Sequence, residues 1–125
     1  MCLKQKLDKN TLLDGTIEYS IGSILHNSKG PAIVSGKYKE WWFYGLKHRD
    51  NGPAIEYEDG SQEWWFYGLR HRKDKPAVIF KEEGFNITTL TEEWWFYGKL
   101  HRDNGPAVMR SDGTQEWWFY GKRTK

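Results

Sequence analysis

The pentapeptide Trp-Trp-Phe-Tyr-Gly occurs four times in 125 residues, at Trp41 to Gly45, Trp64 to Gly68, Trp94 to Gly98 and Trp117 to Gly121, with starts 23, 30 and 23 residues apart. A chain with such internal periodicity folds as an array of one supersecondary unit, because a single copy cannot bury its apolar face alone. The echo runs beyond the pentapeptide. After the Gly come two residues and then His48-Arg49, His71-Arg72 or His101-Arg102, and Pro-Ala follows at Pro53-Ala54, Pro76-Ala77 and Pro106-Ala107. Sliding the pattern upstream without gaps aligns Glu18-Tyr19, His26 and Gly30-Pro31-Ala32 with Glu40-Trp41, His48 and Gly52-Pro53-Ala54, which adds a decayed first copy. The expected organisation is a lead-in or cap over residues 1–13 and a single repeat domain over 14–125, with copies near 14–36, 37–60, 61–90, 91–113 and a truncated 114–125.

The repeat reads as strands. Glu-Trp-Trp-Phe-Tyr is composed of β-formers, and Tyr-Gly before a second extended stretch suits a tight hairpin turn. Pro is tolerated at the first residue of the strand that begins at Pro-Ala, and the pairs Asp14-Gly15, Asp59-Gly60 and Asp112-Gly113 turn the chain back. Each unit is about two antiparallel strands, so the expected fold is all-β: an antiparallel meander of about five stacked β-hairpins, elongated or curled. Seven extra residues before Trp94, around Glu82-Glu83-Gly84-Phe85-Asn86, are expected to lengthen one hairpin. The strand at Glu116 to Tyr120 lacks the Pro-Ala strand that follows every earlier copy and is expected to be an edge guarded by Lys122, Arg123 and Lys125.

Composition narrows the function classes. Lys plus Arg number 19 against 17 Asp plus Glu, a net +2 that lacks the basic excess of duplex-DNA binders. The single cysteine, Cys2, cannot form an intramolecular disulfide, and no charged-then-apolar leader or long apolar run is present, so a cytoplasmic protein without a membrane partner is expected. Catalysis finds little support. Every polar group of interest recurs three or four times, whereas an active site needs one asymmetric set of nucleophile, base and orienter, and Cys2 lies outside the repeats. No Cys or paired-His spacing accompanies the histidines, so neither a metal nor a cofactor is expected.

The spacing of Tyr38, Trp42, Gly45 and His48, followed by a Gly-containing turn, resembles the MORN-type repeat. More closely, E-W-W-x-x-G-K-x-H-R-x-x-G-P-A-V looks like a divergent MORN-like variant common in phage and giant-virus proteins, over about residues 14–125. The chain departs from ordinary MORN repeats at Glu40, Glu63, Glu93 and Glu116 and at Arg49, Arg72 and Arg102, where that pattern expects Gly. The resemblance implies stacked hairpins, a scaffold role in some members and, for a viral protein, action in the host cytoplasm.

The residues themselves point to a ligand class. Sixteen of the 21 aromatics, including every Trp, sit in the four tetrads. Strand alternation puts Glu40, Trp42 and Tyr44 on one face and Trp41 and Phe43 on the other, so both faces are aromatic and one of them is expected to be core. The other can wall slots between neighbouring copies. The slot residues are then the tryptophans 41 and 42, 64 and 65, 94 and 95, 117 and 118 (Trp41, Trp42, Trp64, Trp65, Trp94, Trp95, Trp117, Trp118), with Arg49, Arg72 and Arg102, the carboxylates Glu40, Glu63, Glu93 and Glu116, and the hairpin histidines His48, His71 and His101. A Trp platform stacks on a base for about 1 to 3 kcal/mol, Arg presents a planar fork to phosphate, and Glu accepts from a base edge. These are the needs of a nucleotide, possessing a base and a phosphate in one small planar anion, and cyclic nucleotide signals belong to the same class. The leading expectation is therefore a non-enzymatic nucleotide binder, in a viral setting a sponge for a host immune signal. Two alternatives stay open: a structural or protein-interaction scaffold in which both rows are packing, and a choline or carbohydrate module. A surplus aromatic face also predicts self-association into a homo-oligomer.

Overall fold

The computed structural model describes residues 6–125, all of them in strands, turns and loops, with no helix among them. Cys2 lies outside the described residues. Ten strands follow one another across an open antiparallel sheet in chain order: Leu7–Thr11, Ile17–Ile21, Ile33–Val34, Tyr38–Glu40, Ile55–Tyr57, Gln62–Glu63, Val78–Gly84, Ile87–Glu93, Val108–Arg110 and Gln115–Glu116. An eleventh, Ile24–Leu25, pairs beside Ile17–Ile21. The meander is all-β, and its sheet does not close into a barrel. Among the described residues no helix is long and apolar enough to cross a membrane.

Each Trp-Trp-Phe-Tyr-Gly leaves this sheet. The strand stops at the Glu, the first Trp makes a crossing, and the second Trp starts a separate two-residue hairpin such as Trp42–Phe43 with Leu46–Lys47 or Trp65–Phe66 with Leu69–Arg70. At the crossing Trp41 donates its N–H to Ala54 O (2.7 Å) and accepts from His48 N–H (3.1 Å); Trp64 and Trp94 repeat both bonds. The small hairpins are joined edge to edge, because Gly68 N–H donates to Lys47 O and Gly98 N–H to Arg70 O, each at 2.8 Å. The result is a main sheet flanked by a ribbon of stacked hairpins, with one copy of each per repeat.

Local chemistry explains the turns. Tyr44 and Gly45 both have positive φ, 43° and 81°, as the two central residues of a type I′ turn require, and the other three Tyr-Gly pairs do the same. At Asp59-Gly60 the glycine adopts φ 91°, while the Asp carboxylate accepts from Ser61 N–H at 2.7 Å; Asp14 and Asp112 act alike. These bonds hold the three carboxyls below their ordinary range. The insertion before Trp94 is a longer hairpin, Val78–Gly84 with Ile87–Glu93, whose tip leaves Phe85 almost wholly exposed.

Two sequence expectations need correction. Neither tryptophan row is core: all eight are half-buried, and the buried apolar residues are Ala32, Ala54, Ala77, Ala107, Ile55, Val78 and Val108, lying where the chain re-enters the sheet. Strand alternation does not run through the tetrad. It holds for Glu40 and Trp42, whose indole N–H reaches the carboxylate at 3.0 Å, but the crossing at Trp41 and the left-handed Tyr44 break it. Ahead of the first copy, Leu7–Thr11 pairs in register with Ile17–Ile21 and forms the edge of the sheet.

Candidate functional site

The repeated side chains assemble into three ladders that run from copy to copy. In the first, each His reaches forward to the next copy. His48 Nδ1 accepts from Tyr67 N–H at 3.1 Å, His71 from Tyr97 at 3.1 Å, His101 from Tyr120 at 3.0 Å, and His26 of the decayed copy from Tyr44 at 2.9 Å. An acceptor Nδ1 carries no proton, which leaves the ring proton on Nε2. That proton goes to a carboxylate in two copies, His48 to Asp50 at 2.8 Å and His101 to Asp103 at 2.9 Å. The histidines thus join hairpins.

The second ladder holds the second Trp of each pair. Every indole N–H donates to the Glu two residues earlier: Trp65 to Glu63 at 3.1 Å, Trp95 to Glu93 at 2.8 Å and Trp118 to Glu116 at 2.9 Å, as Trp42 does to Glu40. The first two slots between these tryptophans are occupied by the chain's own cations. Lys47 Nζ lies 5.6 Å from the Trp42 ring centre and 4.7 Å from that of Trp65, and Arg70 Cζ lies 5.3 and 5.2 Å from Trp65 and Trp95. Glu63 is buried and does the most, accepting also from Tyr57 OH at 2.6 Å and from Arg70 at 3.4 Å. Burial and this carboxylate raise the Tyr57 phenol far above its ordinary value. The Arg110 pair and the Trp118 bond lower the Glu116 carboxyl.

The third ladder combines the first Trp with the repeat arginine. Arg49, Arg72 and Arg102 place their guanidinium carbons 3.8, 3.7 and 3.9 Å from the ring centres of Trp41, Trp64 and Trp94. Each also donates to the carbonyl of the following Pro53, Pro76 or Pro106 at 3.2 Å. At Gly52 and Gly105 a Cβ would stand 2.8 to 2.9 Å from the guanidinium, while the Arg72 copy makes the same fold-back with Lys75 at that position. Trp117 has Lys125 in the corresponding place, with Nζ at 5.1 Å.

At the junction between copies 61–90 and 91–113 the third ladder opens into a cleft of about 360 Å³, within the range of small-ligand sites. Trp94 and Trp95 line it, with Arg72 and Lys73 from one copy and Arg102, Asp103 and Asn104 from the next. A shallower groove of about 250 Å³ lies between Trp65 and Trp95 around Arg70. No family model, curated protein or solved structure matches this chain, so the site is read from its own geometry.

Of the residues singled out by sequence, Trp94, Trp95, Arg72, Arg102 and His101 meet at the cleft. Trp65 and Trp95 meet at the groove. The four glutamates are engaged by indoles rather than pointing at open space, and Trp41, Trp42, Trp64, Trp117 and Trp118 are held by the ladders. Two cations that matter, Lys47 and Arg70, are absent from the sequence reading, although their place opposite each second Trp follows from a two-residue hairpin turn. Lys73 is absent as well. The signal for it is visible as a break in the repeat, since Asp50 and Asp103 occupy its position in the sister loops. Among the described residues no group of three His, Cys, Asp or Glu is arranged to hold a metal ion.

Proposed function

We propose that the chain is a non-enzymatic binder of a small planar anion, a nucleotide, held between consecutive copies with the cleft at Trp94 as its principal slot. The observation that carries this reading is the meeting at one cleft of tryptophans 94 and 95 with guanidinium groups from two successive copies, Arg72 and Arg102. An indole wall supplies stacking of about 1 to 3 kcal/mol per base. A charge-assisted contact to phosphate adds about 1.5 to 3 kcal/mol. Together they support micromolar binding after the costs of association. A binder of this kind acts by sequestration, which in a viral setting removes a host nucleotide signal from circulation. Choline fits less well, because the cations that line the cleft, Arg72, Lys73 and Arg102, repel a quaternary ammonium.

A protein-interaction scaffold is the second reading, favoured by the row of exposed hairpin tips at Tyr44, Leu46, Tyr67, Leu69 and Tyr97. A thermal-shift and Trp-fluorescence screen across nucleotides, choline and sugars separates the two. Binding of a nucleotide recovered chemically unchanged, weakened about 10- to 100-fold by Arg72→Ala, supports the proposal. A flat response to all nucleotides leaves the scaffold reading.

A further inference from the structure

In the loop His71-Arg72-Lys73-Asp74-Lys75 a cation stands where the loops after His48 and His101 carry a carboxylate. In the loops of copies 37–60 and 91–113 the His Nε2 proton is bound by Asp50 and Asp103. Lys73 stands at that position here, and among the described residues His71 Nε2 has no side-chain hydrogen-bond partner. The arginines differ in the same sense. Arg49 pairs with Glu56 at 2.8 Å, seven residues on, and Arg102 reaches Met109 Sδ at 3.5 Å, whereas the residue seven after Arg72 is Ile79. Among the described residues neither Arg72 nor Arg102 has a carboxylate within ion-pair distance, and Arg72 also lacks a side-chain acceptor at the seventh residue.

The same five positions have gained positive charge. They carry Arg72, Lys73 and Lys75 against Asp74 alone, where the His48 loop has one cation and one carboxylate. The backbone differs too, since Asp74 adopts φ 61° and its counterparts Asn51 and Asn104 do not enter the left-handed region. His71 is only half-buried, while His48 and His101 are buried. Arg72, Lys73 and Asp74 line the cleft beside Trp94.

We infer that the vacated carboxylate position beside residue 73 is a phosphoryl subsite, in which an external oxyanion takes the His71 Nε2 proton and the free donors of Arg72 and Lys73. The chemistry is that of a phosphate oxygen replacing the absent Asp carboxylate, with neutral His71 donating as its sister histidines donate to Asp. Two acids face it. Asp103 is committed to His101, and Asp74 is exposed at the rim. This rests on the nucleotide reading of the cleft and adds a stoichiometry to it: one phosphate per chain, at one junction.

Inorganic phosphate and adenosine monophosphate are titrated separately into the full chain, following imidazole nitrogens by NMR and melting temperature. Phosphate should saturate at one per chain and move His71 Nε2, leaving His48 and His101 unmoved. Lys73→Asp, which restores the sister sequence and should fold at least as well, is expected to weaken phosphate at least tenfold. Equal shifts at all three histidines, or unchanged phosphate affinity in Lys73→Asp, overturn the subsite. Nucleotide binding that quenches Trp while leaving His71 unmoved overturns the subsite and keeps the nucleotide reading. Conversely, phosphate binding at His71 that the nucleoside portion does not tighten keeps the subsite and removes that reading.

Discussion

Tyr67 donates its backbone N–H to His48 Nδ1 across 3.1 Å while the two rings stack at 3.7 Å and 15°. The same tyrosine sits at φ 44°, a region that a bulky residue enters at a cost of about 1 kcal/mol or more. Asn would suit this turn better by local preference. Tyr is there for the neighbour: its ring covers His48, and Phe66 packs edge-on against the same imidazole at 5.0 Å.

His48→Phe therefore keeps an aromatic ring but orphans the Tyr67 N–H. We expect a loss of about 1 to 3 kcal/mol in urea denaturation, whereas Tyr67→Phe, which keeps both ring and N–H, should stay within about 0.5 kcal/mol of the parent.

The pH dependence has a definite sign at His71. Desolvation lowers its pKa in the folded protein below the ordinary 6.5. The unfolded chain therefore takes up the proton first. The contribution of neutral His71 is complete above pH 6.5 and is lost as pH falls through the lower folded value. Protonation also turns Nδ1 into a donor facing the Tyr97 N–H. Melting temperature should fall between pH 7 and 5, and His71→Gln should flatten part of that slope.

Glu63 and Glu40 occupy equivalent positions but should respond differently. Glu40 serves Trp42, while buried Glu63 serves Trp65, Tyr57 and Arg70. Arg70 Nε is already buried without a partner, so removing its nearest carboxylate leaves an uncompensated cation. We expect Glu63→Ala to cost about 3 kcal/mol and Glu40→Ala about 1 kcal/mol by chemical denaturation.

Ala77 is fully buried beside a crossing, and the neighbouring Val78 is the largest side chain to be completely enclosed. Ala77→Leu should overpack this narrow core by about 1 to 3 kcal/mol. An exposed control, Leu69→Ala at a hairpin tip, should change folding stability little.

Self-association is expected through the exposed tips. A concentration-dependent sedimentation coefficient, abolished by Tyr67→Lys with Leu69→Lys, is the predicted result. A monomer at all concentrations would leave the row of tips without that role.

The hairpins, their turns and the long insertion were legible because each rests on chemistry within a few residues: Tyr-Gly, Asp-Gly and the β-forming tetrads. The division into sheet and ribbon was not. Counting alternation from Glu40 to Tyr44 assumes one continuous strand, but Trp41 bonds to Ala54 and His48, thirteen and seven positions away, and changes direction there. The site was legible in part for the same reason. Trp94, Arg72 and Arg102 meet because their copies are adjacent, which the period announces; that each Arg would lie on the Trp of its own copy depends on a fold-back to the following Pro carbonyl that no period reveals.

The bonds from Gly68 to Lys47 and from Gly98 to Arg70 join the ribbon by the same atoms at successive junctions, at the same 2.8 Å. A copy consequently offers its successor the same docking face that it received from its predecessor. Such a molecule can change its number of units by duplication or deletion in frame without redesigning any contact, as a tiled surface grows without new tile shapes. The insertion at Phe85 shows where variation is tolerated: it lengthens a tile outward and leaves its mating edges alone. Diversity can then enter a single tile, as it has at Lys73, while the others keep the array standing.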